Sequence, residues 1–383
     1  MSETSLVDFS ADKEQVIYEE TDTYDGLKIK TWKRDGKYHR DNDLPARILY
    51  YDNGREMEKV WYRNGQRYRD NNLPVSICYY VNGKEKEVKW YKNDEYHRDN
   101  DLPARILYYD NGQEMDKKWY KDGELHRDND LPAQIAYYDN GNKQSEEWYQ
   151  NGEWYRDNDF PSVIKYYKNG QEMEKIWYRD YKYHRDNNLP VFISYYENGA
   201  RLMEYLVEPV QSHKNGYLLT KISYYENGQE RFKGWHKNGQ LHRDNDLPAF
   251  IEYYENGQEK EKYWCFNDKK SRNNDLPAEI IYDENGNILR EVWYKNGVVS
   301  RKDDLPAVIG YHIGTEMFRI KWWYQNGVPG RDNNLPVIIE YSETGQIIKE
   351  YWRDDTSCSL ICDINDISYG FTTNMPVAKL NNV

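Results

Sequence analysis

WHKNGQLHRDNDLPAFIEYYENGQEKEKY, residues 235–263, decides the fold, because most of the remaining chain is a copy of it. Displaced against itself by 29 positions, the sequence realigns from about residue 32 to residue 352. The proline of a Leu-Pro step recurs from Pro45 through Pro74 and Pro103 to Pro336, and Leu219 stands in the one vacant slot. Tryptophan keeps the same beat as Trp32, Trp61, Trp90, Trp119, Trp148 and onward to Trp352, with Leu206 as the exception. Isoleucine occupies the third place after the proline slot in all eleven copies, beginning Ile48, Ile77, Ile106, Ile135 and ending at Ile339. A tyrosine follows two residues later, from Tyr50 to Tyr341. One extra residue between Tyr311 and Trp323 accounts for a single shift of 30. A fixed period of this size overrides the two or three globular domains that 383 residues would otherwise suggest.

Each copy carries two turn signals, usually Asn-Gly, as at Asn53-Gly54 and Asn64-Gly65. Asn-Gly between short apolar runs marks a tight hairpin, because both residues tolerate positive φ. Before the first turn the residues alternate: Ala46, Ile48 and Tyr50 share one face, Arg47, Leu49 and Tyr51 the other. The small-Ile-Tyr face hardly varies, whereas the second face drifts (Leu49, Cys78, Ala136, Lys165, Glu252). One face is therefore expected to be core and the other solvated or a contact surface. Of the neighbours Trp61 and Tyr62, the tryptophan is expected inward, since its column is the more uniform and an indole offers the larger apolar surface. No stripe of helical period competes. The fold class predicted is all-β: an elongated, twisted array of about eleven tandem β-hairpin repeats of 29 residues. Its parts would be a tail and half-repeat cap (1–31), the array (32–352) and a C-terminal cap and tail (353–383). Leu206, Pro209 and Leu219 weaken the pattern near 199–220, where a kink or altered twist is expected. In the tail, part of Cys358 to Ile367 is expected to cap the last sheet edge.

Composition sets limits on function. A net charge of −13 argues against nucleic acid as a partner. No signal peptide and no apolar run of membrane-spanning length is visible, so no membrane-spanning segment is expected. Cys78, Cys265, Cys358 and Cys362 fall at unrelated repeat positions, so free thiols are expected rather than a disulfide framework.

The recurrent His-Arg-Asp-Asn-Asp-Leu-Pro loop is the most suggestive polar element. Its arginines (Arg40, Arg69, Arg98, Arg127 and their counterparts) are expected to form a ladder with carboxylates of their own or the next repeat. Calcium is disfavoured, because Asn72, Asn188 and Asn334 replace the third acidic position and an arginine adjoins the site. Histidines such as His39 and His97 alternate with Tyr68 and Tyr155 in one column, which favours a hydrogen bond over a metal or a pH switch. Catalysis needs one unlike constellation in a cleft, while these groups come in near-identical sets, so no enzyme, no catalytic residue, no metal and no cofactor is expected. The remaining candidate surface is the tyrosine column Tyr51, Tyr80, Tyr109, Tyr138, Tyr167, Tyr196, Tyr225 and Tyr254. Exposed, it would suit a protein or an extended glycan or peptide; covered, it would be second-layer packing.

The columns WYKDGELHRDNDLPAQIAYYDNG, Trp119 to Gly141, resemble tandem repeats found in many copies in giant DNA viruses, and are loosely similar to MORN-type hairpin repeats. The period of 29 instead of the low twenties, and the lack of Gly-x-Gly, depart from the MORN pattern. The resemblance implies a non-enzymatic viral protein that could belong to the particle, and partners that are other proteins, virion components or further copies of itself.

Overall fold

A computed structural model describes residues 18–24, 27–186, 189–209, 217–333 and 335–352. The described residues form strands and turns and no helix. They divide into two compact units, Met1–Asp268 and Lys269–Val383, each built from the same repeat. The expected C-terminal cap lies outside the described residues.

Every regular repeat contributes two strands to a main antiparallel sheet and a two-stranded ribbon beside it. Arg47–Tyr50 pairs with Glu56–Val60, which pairs in turn with Ser76–Tyr79 of the next repeat. Ile48 stands opposite Lys59, and Lys59 opposite Ile77, so the isoleucine column lies on a single face. Within each unit strands therefore add in chain order, and each repeat buries what its neighbour leaves open. Ile77, Val88 and Ile106 pack with Trp61, Trp90 and Ala104 into one apolar cluster of the first unit. Ala104 is fully buried, at 0% exposure, which is why this slot admits only small residues. The tryptophans point inward as expected, Trp61 and Trp148 at 6% and Trp90 and Trp119 at 7% exposure.

The two Asn-Gly steps make different turns. In the ribbon Tyr62–Arg63 and Gln66–Arg67, both Asn64 (φ 52) and Gly65 (φ 88) are left-handed, the two-residue type I′ geometry that matches strand twist. In the main hairpin only Gly54 (φ 80) is left-handed; Gly54 donates to the Tyr51 carbonyl and Tyr51 to that of Arg55. There the Asn53 side chain accepts from the Arg55 amide, and a register shift between Leu49 and Tyr50 absorbs the extra residue.

The drifting second face is not a bare surface. The ribbons lie over it: Tyr149 and Trp154 both donate to Glu147 Oε2, at 2.7 and 3.0 Å. Ser76 and Asp116 on this face are buried. Burial without a full set of partners raises the Asp116 carboxyl above its ordinary range. The expectation that the second face is solvated or a contact surface is corrected by this cover, which no periodicity within a strand reveals. In the second unit part of the same face is apolar: Val292, Val308 and Trp322 pack there with Val299 and Tyr324, beside the buried Glu279, which Lys270 and Arg290 pair.

The weakened repeat keeps its place in the ladder. Arg201–Pro209 and Tyr217–Tyr224 pair as one long hairpin from Met203↔Ser223 to Pro209↔Tyr217, and Ile222 is buried. At the other end of this unit Tyr18–Tyr24 pairs with Leu27–Arg34, the strand-turn-strand expected of a half-repeat.

Candidate functional site

The His-Arg-Asp-Asn-Asp-Leu-Pro loops begin from a backbone constraint. Asn42 and Asp43 are both left-handed (φ 60 and 54), as are Asn129 and Asp130 (φ 62 and 54). Two successive left-handed residues without glycine cost strain that Asn and Asp bear best, through their short polar side chains. This turn carries the third-position aspartate across to the next repeat.

There it meets a tryptophan and an arginine. Trp61 Nε1 donates to the Asp43 carbonyl at 3.0 Å, and the Arg69 guanidinium lies 3.9 Å from the Trp61 ring centre. Arg69 also binds both Asp43 carboxylate oxygens at 2.8 Å and the Pro74 carbonyl at 3.1 Å. Arg127 on Asp101, Arg156 on Asp130 and Arg185 on Asp159 repeat the clamp in the first unit, and Arg301 on Asp275 repeats it in the second. Arg40 and Arg98 stack on Trp32 and Trp90 in the same way. The ladder expected from sequence is present, with one correction: the carboxylate comes from the preceding repeat, 26 residues back. The hydrogen bond from Arg69 holds the Asp43 carboxyl below its ordinary range. Arg98 is the exception that the sequence marks, because Asn72 replaces its aspartate; its Nε is buried without a partner.

The histidine column does what its tyrosine substitutes do. His39 Nε2 lies 2.9 Å from Asp41 Oδ1, and Tyr68 donates to Asp70 at the equivalent place. His39 Nδ1 accepts from the Asn64 amide of the next repeat, so in this contact the ring is the neutral Nε2–H tautomer. Both oxygens of these aspartates face protein donors: Arg34 also bonds Asp41. Among the described residues no group of three or more His, Cys, Asp or Glu is placed to hold a metal. Cys78 carries a free thiol, pushed up to about 11 by burial and by the nearby Glu58.

The tyrosine column is half-buried and committed inside the array. Tyr51 donates to the carbonyl of Tyr79 in the next repeat at 2.7 Å. Tyr80, Tyr109, Tyr138, Tyr167, Tyr196 and Tyr225 each repeat this one period further on. The reason is an orphan acceptor: pairing with the preceding strand stops at Glu58↔Cys78, so no backbone donor of that strand faces the Tyr79 carbonyl. Of the two uses that the sequence leaves open for this column, the geometry is that of second-layer packing. The neighbouring column stacks within a ribbon, Tyr91 on Tyr96 (4.6 Å), and from one ribbon to the next, Tyr96 on Tyr120 (4.8 Å).

One column that sequence reasoning passed over remains outward. The leucine before the proline is exposed in every regular repeat, from Leu44 at 44% through Leu102 at 40% to Leu335 at 39%, with Phe160 at 50%. The signal was present: an apolar residue set in a polar turn, copy after copy, with buried Pro45 and Ala46 directly after it.

No family model matches the sequence, and no curated protein matches it. Among solved structures, the crystal structure of TcdB2-TccC3-TEV is similar at 11% identity and a TM-score of 0.13, over 77% of this chain and 19% of that one. A TcdB2-TccC3 structure without the hypervariable C-terminal region gives 10% identity and a TM-score of 0.16, over 73% of this chain and 17% of that one. The chain thus spans about a fifth of the length of the chains it matches, and at these scores the likeness carries no argument. No helix among the described residues is long and apolar enough to cross a membrane.

Proposed function

We propose that the protein is a non-enzymatic interaction scaffold, a rigid acidic β-repeat array that presents a repeated surface to other proteins. One observation carries this reading. The Trp, Arg, Asp and second Tyr columns are consumed by contacts between repeats, while the leucine column is held outward at a fixed place in each copy. Single exposed leucines need no explanation, but an aligned series of them has the character of an interaction site. A binding module for an extended glycan along the tyrosine stripe is the second reading, and the committed hydroxyls weaken it. The likeness of the repeat to those of giant DNA viruses suggests a virion component, with the virion or host cytoplasm as the setting.

The test is affinity capture from source cells with the wild type and with Leu73→Ser, Leu102→Ser and Leu131→Ser combined. A protein retained by the first and lost by the second is the expected result. Identical captures would sink the reading, and absence of the chain from purified virions by mass spectrometry would sink its particle setting.

A further inference from the structure

The ribbon layer of the first unit is interrupted once, and a lysine without a carboxylate lies at the interruption. Along the ribbons the inward rings form a ladder. Trp154 packs against Tyr149 of its own ribbon (5.6 Å) and Tyr178 of the next (5.1 Å), and Tyr178 stacks on Tyr183 (5.0 Å). There the ladder stops. Val207, which holds the next slot, stays in the sheet opposite Leu219, because the weakened repeat makes a long hairpin where the others turn out a ribbon. Among the described residues Tyr183 is therefore stacked on one side only, and it is 42% exposed.

Below the missing ribbon, the second face presents Tyr205, Lys221 and Gly234 side by side on three neighbouring strands. Lys221 Nζ lies 5.8 Å from the Tyr205 ring centre and 5.7 Å from that of Phe232. Three other cations of this face have a carboxylate: Arg47 has Glu58 (3.0 Å), Arg105 has Glu87 (2.6 Å) and Lys165 has Glu174 (2.8 Å). Each of those carboxylates stands three residues before the tryptophan slot. Beside Lys221 that place is taken by Met203 and Phe232, so among the described residues the amine meets rings and no anion. The segment between the two strands of the long hairpin, VQSHKNG at 210–216, contains no Asp or Glu to supply one. Burial pushes the Lys221 amine below its ordinary range. Burial and the neighbouring Tyr183 raise the Tyr205 hydroxyl, while burial and Lys221 lower the His236 imidazole, so these four side chains share one neighbourhood. His236 leans over Gly234, its Cε1 3.2 Å from where a Cβ would stand, and its Nδ1 is buried with no hydrogen-bond partner among the described residues.

A regular ribbon shows what belongs in the gap. In the same cross-strand row, Glu147 takes hydrogen bonds from Tyr149 and Trp154 above it. Lys221 reverses the sign, so the group above it must accept. A half-buried cation is stabilised by an anion that replaces its lost water, and the open face of Tyr183 by a further ring. The occupant is then a ribbon in form, with one inward ring kept and the other exchanged for a carboxylate.

We propose that this gap docks a β-hairpin of a partner protein bearing an aromatic side chain opposite a carboxylate, the ring against Tyr183 and the carboxylate on Lys221. The site occurs once and owes nothing to the leucine column, so it goes beyond the scaffold reading.

Isothermal titration calorimetry on the full chain, at physiological salt, tests it with the cyclic hairpin Glu-Gln-Asn-Gly-Gln-Trp closed by D-Pro-Gly. Two control peptides carry Gln in place of Glu or Ala in place of Trp. The first peptide is expected to bind at a single site, at least about tenfold more tightly than either control. Lys221→Met keeps the aliphatic stem between the rings and should weaken the first peptide about tenfold, to the level of the Gln control, while Lys221→Arg retains it. Tyr183→Ser should erase the advantage of Trp over Ala, with the circular-dichroism melt unchanged because this ring is exposed. Equal affinity for the three peptides, no saturable binding, or full binding by the folded Lys221→Met or Tyr183→Ser variant would each overturn the inference. The Leu73→Ser, Leu102→Ser, Leu131→Ser variant should bind the first peptide as the wild type does, which lets this inference and the scaffold reading fail separately.

Discussion

A regular repeat and the weakened one are built from the same strands and part company where the ladder reaches the proline slot. In the repeat that begins at Ala46, the ladder runs to Val60 and Trp61, whose amide bonds the Val75 carbonyl; the next position across is Pro74, which has no N–H to offer. The chain leaves the sheet there, makes its ribbon and returns through the left-handed Asn-Asp turn. In the weakened repeat Leu219 takes the proline slot, and the ladder continues through Leu206↔Thr220 and Val207↔Leu219 to Pro209↔Tyr217. Without the proline, and without a tryptophan to anchor the loop, the repeat has nothing to turn it out of the sheet. The departure that the sequence suggested is therefore a lengthened hairpin, with Pro209 tolerated at its end. What sets the ribbon and loop apart from the sheet is the set of Trp, Arg, Asp and Pro residues acting together.

The largest expected test of this contrast is Trp119→Ala. It removes a buried indole, its bond to the Asp101 carbonyl and the surface under Arg127, and should cost ~3–5 kcal/mol. Leu206→Ala, at the same slot of the weakened repeat and only half-buried, should cost ~1–2 kcal/mol. Hydrogen exchange resolved by repeat reads both; equal losses would break the comparison.

Next comes Asp130→Ala, which strips Arg156 of its carboxylate and puts alanine in a left-handed position, for a cost of about 1–2 kcal/mol. The same clamp predicts a pH dependence. The folded-state pKa of Asp43 is depressed by Arg69, so its contribution is complete above the ordinary carboxylate value of ~4 and is lost as pH falls through the lower folded value. Melts between pH 7 and 2 should show loss beginning below about pH 4 in the wild type, and a shallower decline in a chain whose clamps carry alanine.

Tyr109→Phe should cost about 0.5–1.5 kcal/mol, the worth of a hydrogen bond to a backbone carbonyl. Tyr196→Phe should cost the same, because the tyrosine link runs unaltered into the weakened repeat, to the Tyr224 carbonyl. A large difference between them in urea midpoints would show that the two ladders are coupled. The smallest effect is a gain: Asn72→Asp supplies the carboxylate that Arg98 lacks and should add up to about 1 kcal/mol, an exposed ion pair being modest.

The sequence made the all-β class, the period, the inward tryptophans and the arginine ladder legible, because each is a column whose residue type states its own need. It hid whatever depends on how the repeat folds back on itself. Leu49 and Cys78 drift like solvent-facing residues, yet the ribbon covers their face; Asn53-Gly54 and Asn64-Gly65 look alike and make different turns. Tyr51 reads as a surface side chain until the neighbouring carbonyl is seen to want a donor. Leu44, the residue left over, was overlooked because Leu-Pro reads as a turn signal.

Trp61 to Asp43, Arg69 to Asp43 and Tyr51 to Tyr79 each join a group to its neighbour one period away. Excise residues 105–133, and Trp148 meets Asp101 while Tyr80 meets Tyr137, so the splice is as well bonded as what it replaced. A cut whose length is not a multiple of 29 leaves the partners across the splice out of step. Copy number can thus change by whole steps at little structural cost, and near-identical stretches are where recombination makes such steps.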